Sequence, residues 1–205
     1  RQEIHTDKPY EVLRELMKEY SAPRMPELPP FTGGLVGYFS YAMIAYAEPV
    51  LKLRSSDFMD FELKLFDKVI AYDHLKQKII IVVNMKTDRV LENYGRAMAD
   101  IERLTRLLLE TSSSGSQLQA KAVSTKADFK CNVSREEYCR LVEKAKEYIK
   151  DGDIFQAVIS RRFESEYNDS LLNAYRVLRT TNPSPYMVFL QYDDLQLIST
   201  SPETL

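Results

Sequence analysis

Between Leu63 and Leu108 the chain passes from two strand-like runs into one long helical run, and this succession constrains the fold more than any other feature. Leu63 to Tyr72 and Lys78 to Asn84 are joined by Asp73-His74-Leu75-Lys76-Gln77, a link short enough only for an antiparallel hairpin. Asp88 then opens a helix in which Val90, Leu91, Tyr94, Met98, Ile101, Leu104 and Leu108 recur at helical spacing.

The flanking sequence extends the pattern. Residues 9–20 read as a helix, with Pro9 in its first turn and Val12, Leu13, Leu16, Met17 and Tyr20 on one apolar face. Pro23 to Pro30 is an irregular connection. Phe31 to Tyr41 combines three glycines with aromatics, which marks turns, bulges or a close backbone approach. Residues 111–128 change to serine-rich, mixed polar composition and read as a flexible linker between a first region, 1–110, and a second, 129–205. In the second region Ser134 and Glu137 have capping-box spacing for a helix at 134–150, and Gly152 lies just past its end. Asp153 to Phe163 reads as a strand, with Gln156 and Ser160 on the face opposite Phe155 and Ile159. A helix at 170–180 ends at Asn182-Pro183. Tyr186–Tyr192 and Leu195–Ser201 form a hairpin around Asp193-Asp194. The expected class is α+β: antiparallel sheets with flanking helices.

Composition excludes several functions. With 28% charged residues and a net charge of −2, nothing argues for nucleic acid or an anionic membrane as partner. The longest strongly apolar run, Ile79 to Val83, is far too short to span a bilayer. No secretory signal opens the chain, so a cytoplasmic protein is expected, and the glycosylation-like triplets at Asn132 and Asn168 read as chance. Cys131 and Cys139 are too few for a disulfide framework and read as reduced thiols. His5 and His74 are isolated, and no metal-ligand cluster is visible. Gly33-Gly34-x-x-Gly37 lacks the spacing and context of a dinucleotide fingerprint. The pattern runs into structure at both Arg1 and Leu205, so a continuation past Leu205 is expected. On pattern alone Gln156, Glu203 and the Asn182–Tyr186 loop read as ordinary solvated polar positions.

Four phrases change that reading. Phe31-Thr32-Gly33-Gly34-Leu35-Val36-Gly37-Tyr38-Phe39-Ser40-Tyr41, Gly152-Asp153-Ile154-Phe155-Gln156-Ala157-Val158-Ile159-Ser160, Asn182-Pro183-Ser184-Pro185-Tyr186-Met187 and Ser201-Pro202-Glu203 occur in this order. Together they resemble the anthranilate synthase component I family of chorismate-binding enzymes, from about residue 9 to the end. The resemblance implies part of that family's α/β sandwich of antiparallel sheets.

What the resemblance implies for chemistry is specific. Family members displace the ring hydroxyl of chorismate by adding a nucleophile. Members that add water have a lysine where this chain has Gln156. An amide has no basic lone pair and cannot activate water as a general base, but it can hydrogen-bond and position ammonia. Gln156 therefore favours an aminating member over a hydrating one, and the Asn182–Met187 wording favours the branch that makes anthranilate and pyruvate. Glu203 aligns with the general acid that protonates the departing hydroxyl, a task that requires a pKa raised by burial. Asn182, Pro183, Pro185, Tyr186 and Met187 resemble part of the tryptophan feedback site, with rigid prolines and apolar surface for an indole. A second phrase of that site, Leu-Leu-Glu-Ser, is absent from this chain. Magnesium, whose ligands are expected beyond Leu205, and a glutamine amidotransferase subunit supplying ammonia complete the implied enzyme. The segment alone is expected to be inactive. Its sequence departs from the family at Ala42, where an aspartate is usual. Aminodeoxychorismate synthase component I is the nearest rival reading, and a non-catalytic module binding a partner or an amino acid is the rival from another class.

Overall fold

The computed structural model describes residues 3–53, 57–113 and 128–201. Most of the 111–128 linker segment, and Glu203, lie outside the described residues. The chain divides into two compact units, Arg1–Gln117 and Leu118–Leu205.

The first unit holds helix α1 (Pro9–Lys18), strand β1 (Gly34–Phe39), a 3-10 turn (Tyr41–Met43), the short helix α2 (Ile44–Ala47), strands β2 (Phe61–Phe66), β3 (Lys68–Asp73) and β4 (Lys78–Val83), and the long helix α3 (Val90–Ser113). β1 pairs antiparallel with β2, and β3 with β4, as two separate two-stranded sheets. The glycine run builds the first pair. Gly33 and Gly34 have φ of +147° and +132°, a region closed to most side chains. Gly37 lies so close to β2 that a Cβ there would sit 1.9 Å from the Glu62 carbonyl oxygen. Ala42 lies half-buried in the 3-10 turn.

Two expectations need correction in this unit. Leu63–Tyr72 is not one strand but is divided at Asp67, where the chain leaves the β1–β2 pair for the β3–β4 pair. The Asp67 carbonyl is taken by Asn84, whose backbone N–H donates to it at 2.7 Å and whose side-chain amide donates at 3.2 Å. The helix face is also rotated. Val90, Leu91 and Tyr94 are exposed, Leu91 by 90%, while α3 turns Ala97, Ile101, Leu104 and Leu108 inward and packs against β4. Ala97 and Val82 of β4 are both buried, and a small side chain at 97 lets helix and strand approach. The salt bridge from Lys68 to Asp100, 3.1 Å long, ties β3 to the same helix face.

The hairpin turn follows expectation. The Asp73 carboxylate accepts from the backbone N–H groups of Leu75 (3.0 Å) and Lys76 (2.9 Å), an Asx turn that starts the reversal into β4. Gln77 completes it in the left-handed region at φ 49°.

The second unit holds strand β5 (Lys130–Cys131), helix α4 (Arg135–Asp151), strand β6 (Phe163–Glu164), helix α5 (Leu171–Thr181), and strands β7 (Tyr186–Gln191) and β8 (Gln196–Ser201). β7 and β8 form the expected hairpin, closed by a 2.7 Å bond from the Tyr192 N–H to the Leu195 carbonyl. Tyr192, 2% exposed, is buried there. α5 packs on this sheet and is fastened to it by Gln196 of β8, whose side-chain oxygen accepts from the Leu171 N–H at 2.7 Å. The strand expected over 153–163 is the main correction. Only Phe163–Glu164 enters a ladder, pairing with Lys130–Cys131. A strand needs a partner's N–H and C=O groups, and among the described residues none lies alongside 153–161. Phe155 and Val158 are accordingly 98% and 85% exposed.

Two alanine substitutions should have opposite signs. Gly37→Ala drives a Cβ into backbone and should cost about 3 kcal/mol. Gly95→Ala, at a position in α3 where a Cβ meets nothing within 4 Å, should stabilise by about 1 kcal/mol. Urea midpoints of the two variants check this, and a neutral Gly37→Ala would contradict the close strand approach. Acid sensitivity is a second expectation. The Lys76 and Leu75 N–H groups hold the Asp73 carboxyl below the usual carboxylate range, and Lys68 first, with Arg103, does the same for Asp100. Folded-state pKa values below the unfolded ones mean stabilisation that is present above the ordinary aspartate pKa. It is lost as pH falls through the lower folded values. Carboxyl NMR titrations should place both groups below ordinary aspartates, and Asp73→Asn or Asp100→Asn should flatten the acid limb of stability.

Candidate functional site

The segment that carries Gln156 is set by α4 at both of its ends. Ser134 caps α4, its hydroxyl oxygen accepting from the Glu137 N–H at 3.1 Å, as the capping-box spacing implies. Gly152 ends it in the left-handed conformation, φ 82°, and the Asp153 N–H returns to the Tyr148 carbonyl at 3.0 Å. The chain then runs back toward the start of the helix. There the Tyr138 hydroxyl donates to the Ile159 carbonyl at 3.1 Å. The Arg161 guanidinium lies 5.5 Å from the Tyr138 ring centroid and 4.7 Å from that of Phe163. Phe163 in turn meets Phe129 edge-on at 6.4 Å. Asn132 takes both polar groups of the Arg162 backbone, its side-chain oxygen accepting from the N–H at 2.8 Å and its own N–H donating to the carbonyl at 3.1 Å.

Gln156 sits between these anchors, with an exposed side chain. Its amide can donate and accept hydrogen bonds but cannot take up a proton near neutral pH. Sequence reasoning missed Tyr138, Asn132 and Arg161. The only local signal was the presence of aromatics at 138 and 163; the pairing of Tyr138 with residues 159 and 161 is a property of the fold.

The other predicted residues form a separate group. Asn182 is the C-cap of α5 and its carbonyl accepts from the Thr200 hydroxyl at 3.3 Å. Pro183 and Pro185 are exposed in the loop between α5 and β7. Ser184 turns that loop, its hydroxyl oxygen accepting from the Tyr186 N–H at 3.3 Å. Tyr186 and Met187 are adjacent on β7 and point to opposite faces of the sheet. Met187 shares a face with Phe189, whose ring lies 6.0 Å from that of Tyr175 on α5, whereas Tyr186 is on the exposed face. The structure thus keeps the five residues contiguous but does not turn Tyr186 and Met187 toward one ligand. Glu203 belongs to the residues that are not described.

A cleft of about 280 Å³ lies elsewhere, in the first unit, lined by Lys68, Asn84, Lys86, Arg89, Arg96 and Asp100 among others. None of the predicted site residues lines it. Within it Lys68 pairs with Asp100, and Arg89 and Arg96 both pair with Glu92. Among the described residues no group of three His, Cys, Asp or Glu side chains could hold a metal ion. Among the described residues no carboxylate set fits magnesium. No described helix is long and apolar enough to cross a membrane.

Comparison with known proteins gives one consistent result. The family model described as chorismate binding enzyme matches residues 1–205. Anthranilate synthase component 1 of Acetivibrio thermocellus is 38% identical over 203 residues, covering 96% of this chain and 41% of the relative. The protein of the same name from Aquifex aeolicus is 37% identical over 205 residues, covering 98% and 41%. The crystal structure of anthranilate synthase component I from Streptococcus pneumoniae superposes with a TM-score of 0.71 at 29% identity, covering 95% of this chain and 43% of that one. The chain spans about two fifths of the length of these relatives.

Proposed function

The chain belongs to the chorismate binding enzyme family, and from that premise we propose that it is a segment of anthranilate synthase component I. The reaction is the conversion of chorismate and ammonia into anthranilate, pyruvate and water. The observation that carries the aminating assignment is Gln156: an amide stands on the segment anchored to α4 where water-adding relatives have a lysine. Ammonia already carries its basic lone pair and needs placement rather than deprotonation, which an amide can give through hydrogen bonds.

The remaining roles follow in the same reading. Glu203 protonates the departing ring hydroxyl, so that water rather than hydroxide leaves. Ammonia comes from glutamine through a separate amidotransferase subunit. The magnesium that the family resemblance implies would be held outside the described residues, where it would supply positive charge to the carboxylates of chorismate. Asn182, Pro183, Pro185, Tyr186 and Met187 contribute one wall of a tryptophan feedback site. The opposite orientations of Tyr186 and Met187 mean that a ligand reaches only one of them from a given face of β7. A cytoplasmic location goes with this reading.

Anthranilate fluorescence tests the assignment. The full-length protein should form anthranilate from chorismate and ammonia, and Glu203→Gln should abolish chorismate consumption; near-unchanged turnover in that variant would refute the role of Glu203. This 205-residue segment should show no synthase activity by itself. Calorimetry of the segment with tryptophan should detect weak binding or none, and micromolar affinity would show the feedback site to be misplaced.

A further inference from the structure

We propose that Tyr138 and Arg161 are positioning residues that set the place of Gln156 in the amination site. The inference rests on the reading of Gln156 given above and adds a mechanism for it. From Tyr138 to Gly152, α4 rises about 21 Å. The returning chain from Gly152 to Ile159 can reach about 25 Å at full extension. The left-handed cap at Gly152 fixes one end of this span and the bond from the Tyr138 hydroxyl to the Ile159 carbonyl fixes the other. Gln156 lies near the middle of the span held between these two points.

The far anchor is more than one hydrogen bond. Arg161 lies against the rings of both Tyr138 and Phe163, so its guanidinium joins the helix to the start of β6. Asn132 holds the backbone of Arg162 just beyond. Between the anchors Ile154 and Ile159 are half-buried, whereas Phe155, Gln156 and Val158 face solvent in this segment. Releasing the Tyr138–Arg161 anchor acts on the Gln156 span, whereas α4 keeps its own cap at Ser134.

The test is a double-variant cycle in the full-length protein, read as ammonia-dependent anthranilate formation with melting temperature measured alongside. Tyr138→Phe removes one hydroxyl and keeps the ring under Arg161, so it is the variant least able to disturb folding. Arg161→Leu removes the cation, and Arg161→Lys restores charge without the planar guanidinium. Tyr138→Phe and Arg161→Leu should each lower kcat about tenfold or more with the chorismate KM little changed, and Arg161→Lys should recover part of the loss. In a Gln156→Ala background the same substitutions should have little further effect, because they act through Gln156. Losses that multiply in full in that background, or that track a fallen melting temperature, overturn the proposal in favour of a general folding role. Full activity in Tyr138→Phe and Arg161→Leu beside an impaired Gln156→Ala overturns the clamp and leaves the amination reading standing. An unimpaired Gln156→Ala removes that reading, and the clamp with it.

Discussion

The side-chain amide of Asn84 is the contact on which the first unit depends. Two hairpins lie in sequence there, and no ladder of backbone bonds joins them. Asn84 reaches both. Its side-chain nitrogen donates to the Thr32 carbonyl at 2.7 Å, across 52 residues of chain, and to the Asp67 carbonyl, which its own backbone also holds. Thr32 precedes β1 and Asp67 separates β2 from β3, so one residue fixes where each hairpin begins. The bond to Thr32 is partly shielded from water, where losing a partner costs about 1–3 kcal/mol. It also explains Gly33: a Cβ at that position would lie 2.6 Å from the Asn84 amide nitrogen. A glycine and an asparagine far apart in sequence are thus one device.

Local hydrogen bonding matters in this segment, where the buried apolar side chains among the described residues include little beyond Met43, Val82, Ala97 and Tyr192. The β3–β4 hairpin shows the consequence in detail. One face packs against α3 through Val82, while Ile70, Tyr72 and Ile79 leave the other face apolar and exposed. Two-stranded hairpins are marginal alone. What holds these is the Asx turn at Asp73, the Lys68–Asp100 bridge and the Asn84 bonds rather than a deep core.

Those local devices are also what the sequence makes legible. Ser134, Glu137 and Gly152 bounded α4 because a cap is satisfied within a few residues of itself. Asp73 marked a turn and Asn182-Pro183 a helix end for the same reason. Nonlocal choices were hidden. The run from Leu63 to Tyr72 is uniformly strand-like, and nothing within it says that Asn84 will claim the Asp67 carbonyl. Val90, Leu91 and Tyr94 fit a helical stripe, but the strand they might have faced packs lower on α3, against Ala97. Alternation at 153–163 was real as a pattern, but periodicity describes a chain's suitability for a sheet and not the existence of a neighbouring strand. Of the site, the four family phrases were readable, while the contacts that hold the Gln156 segment were not.

The anchors of the Gln156 segment bear directly on the chemistry assigned to Gln156. A lysine that activates water contributes basicity as well as position. A glutamine has no basicity to contribute, so whatever it adds to an addition reaction must come from where its amide is held. Orientation effects decay steeply, about a hundredfold for an ångström of misplacement. An aminating site built on an amide therefore depends on its backbone supports. In this chain those supports are the two ends of α4: the left-handed turn at Gly152 and the aromatic–guanidinium contact at Tyr138.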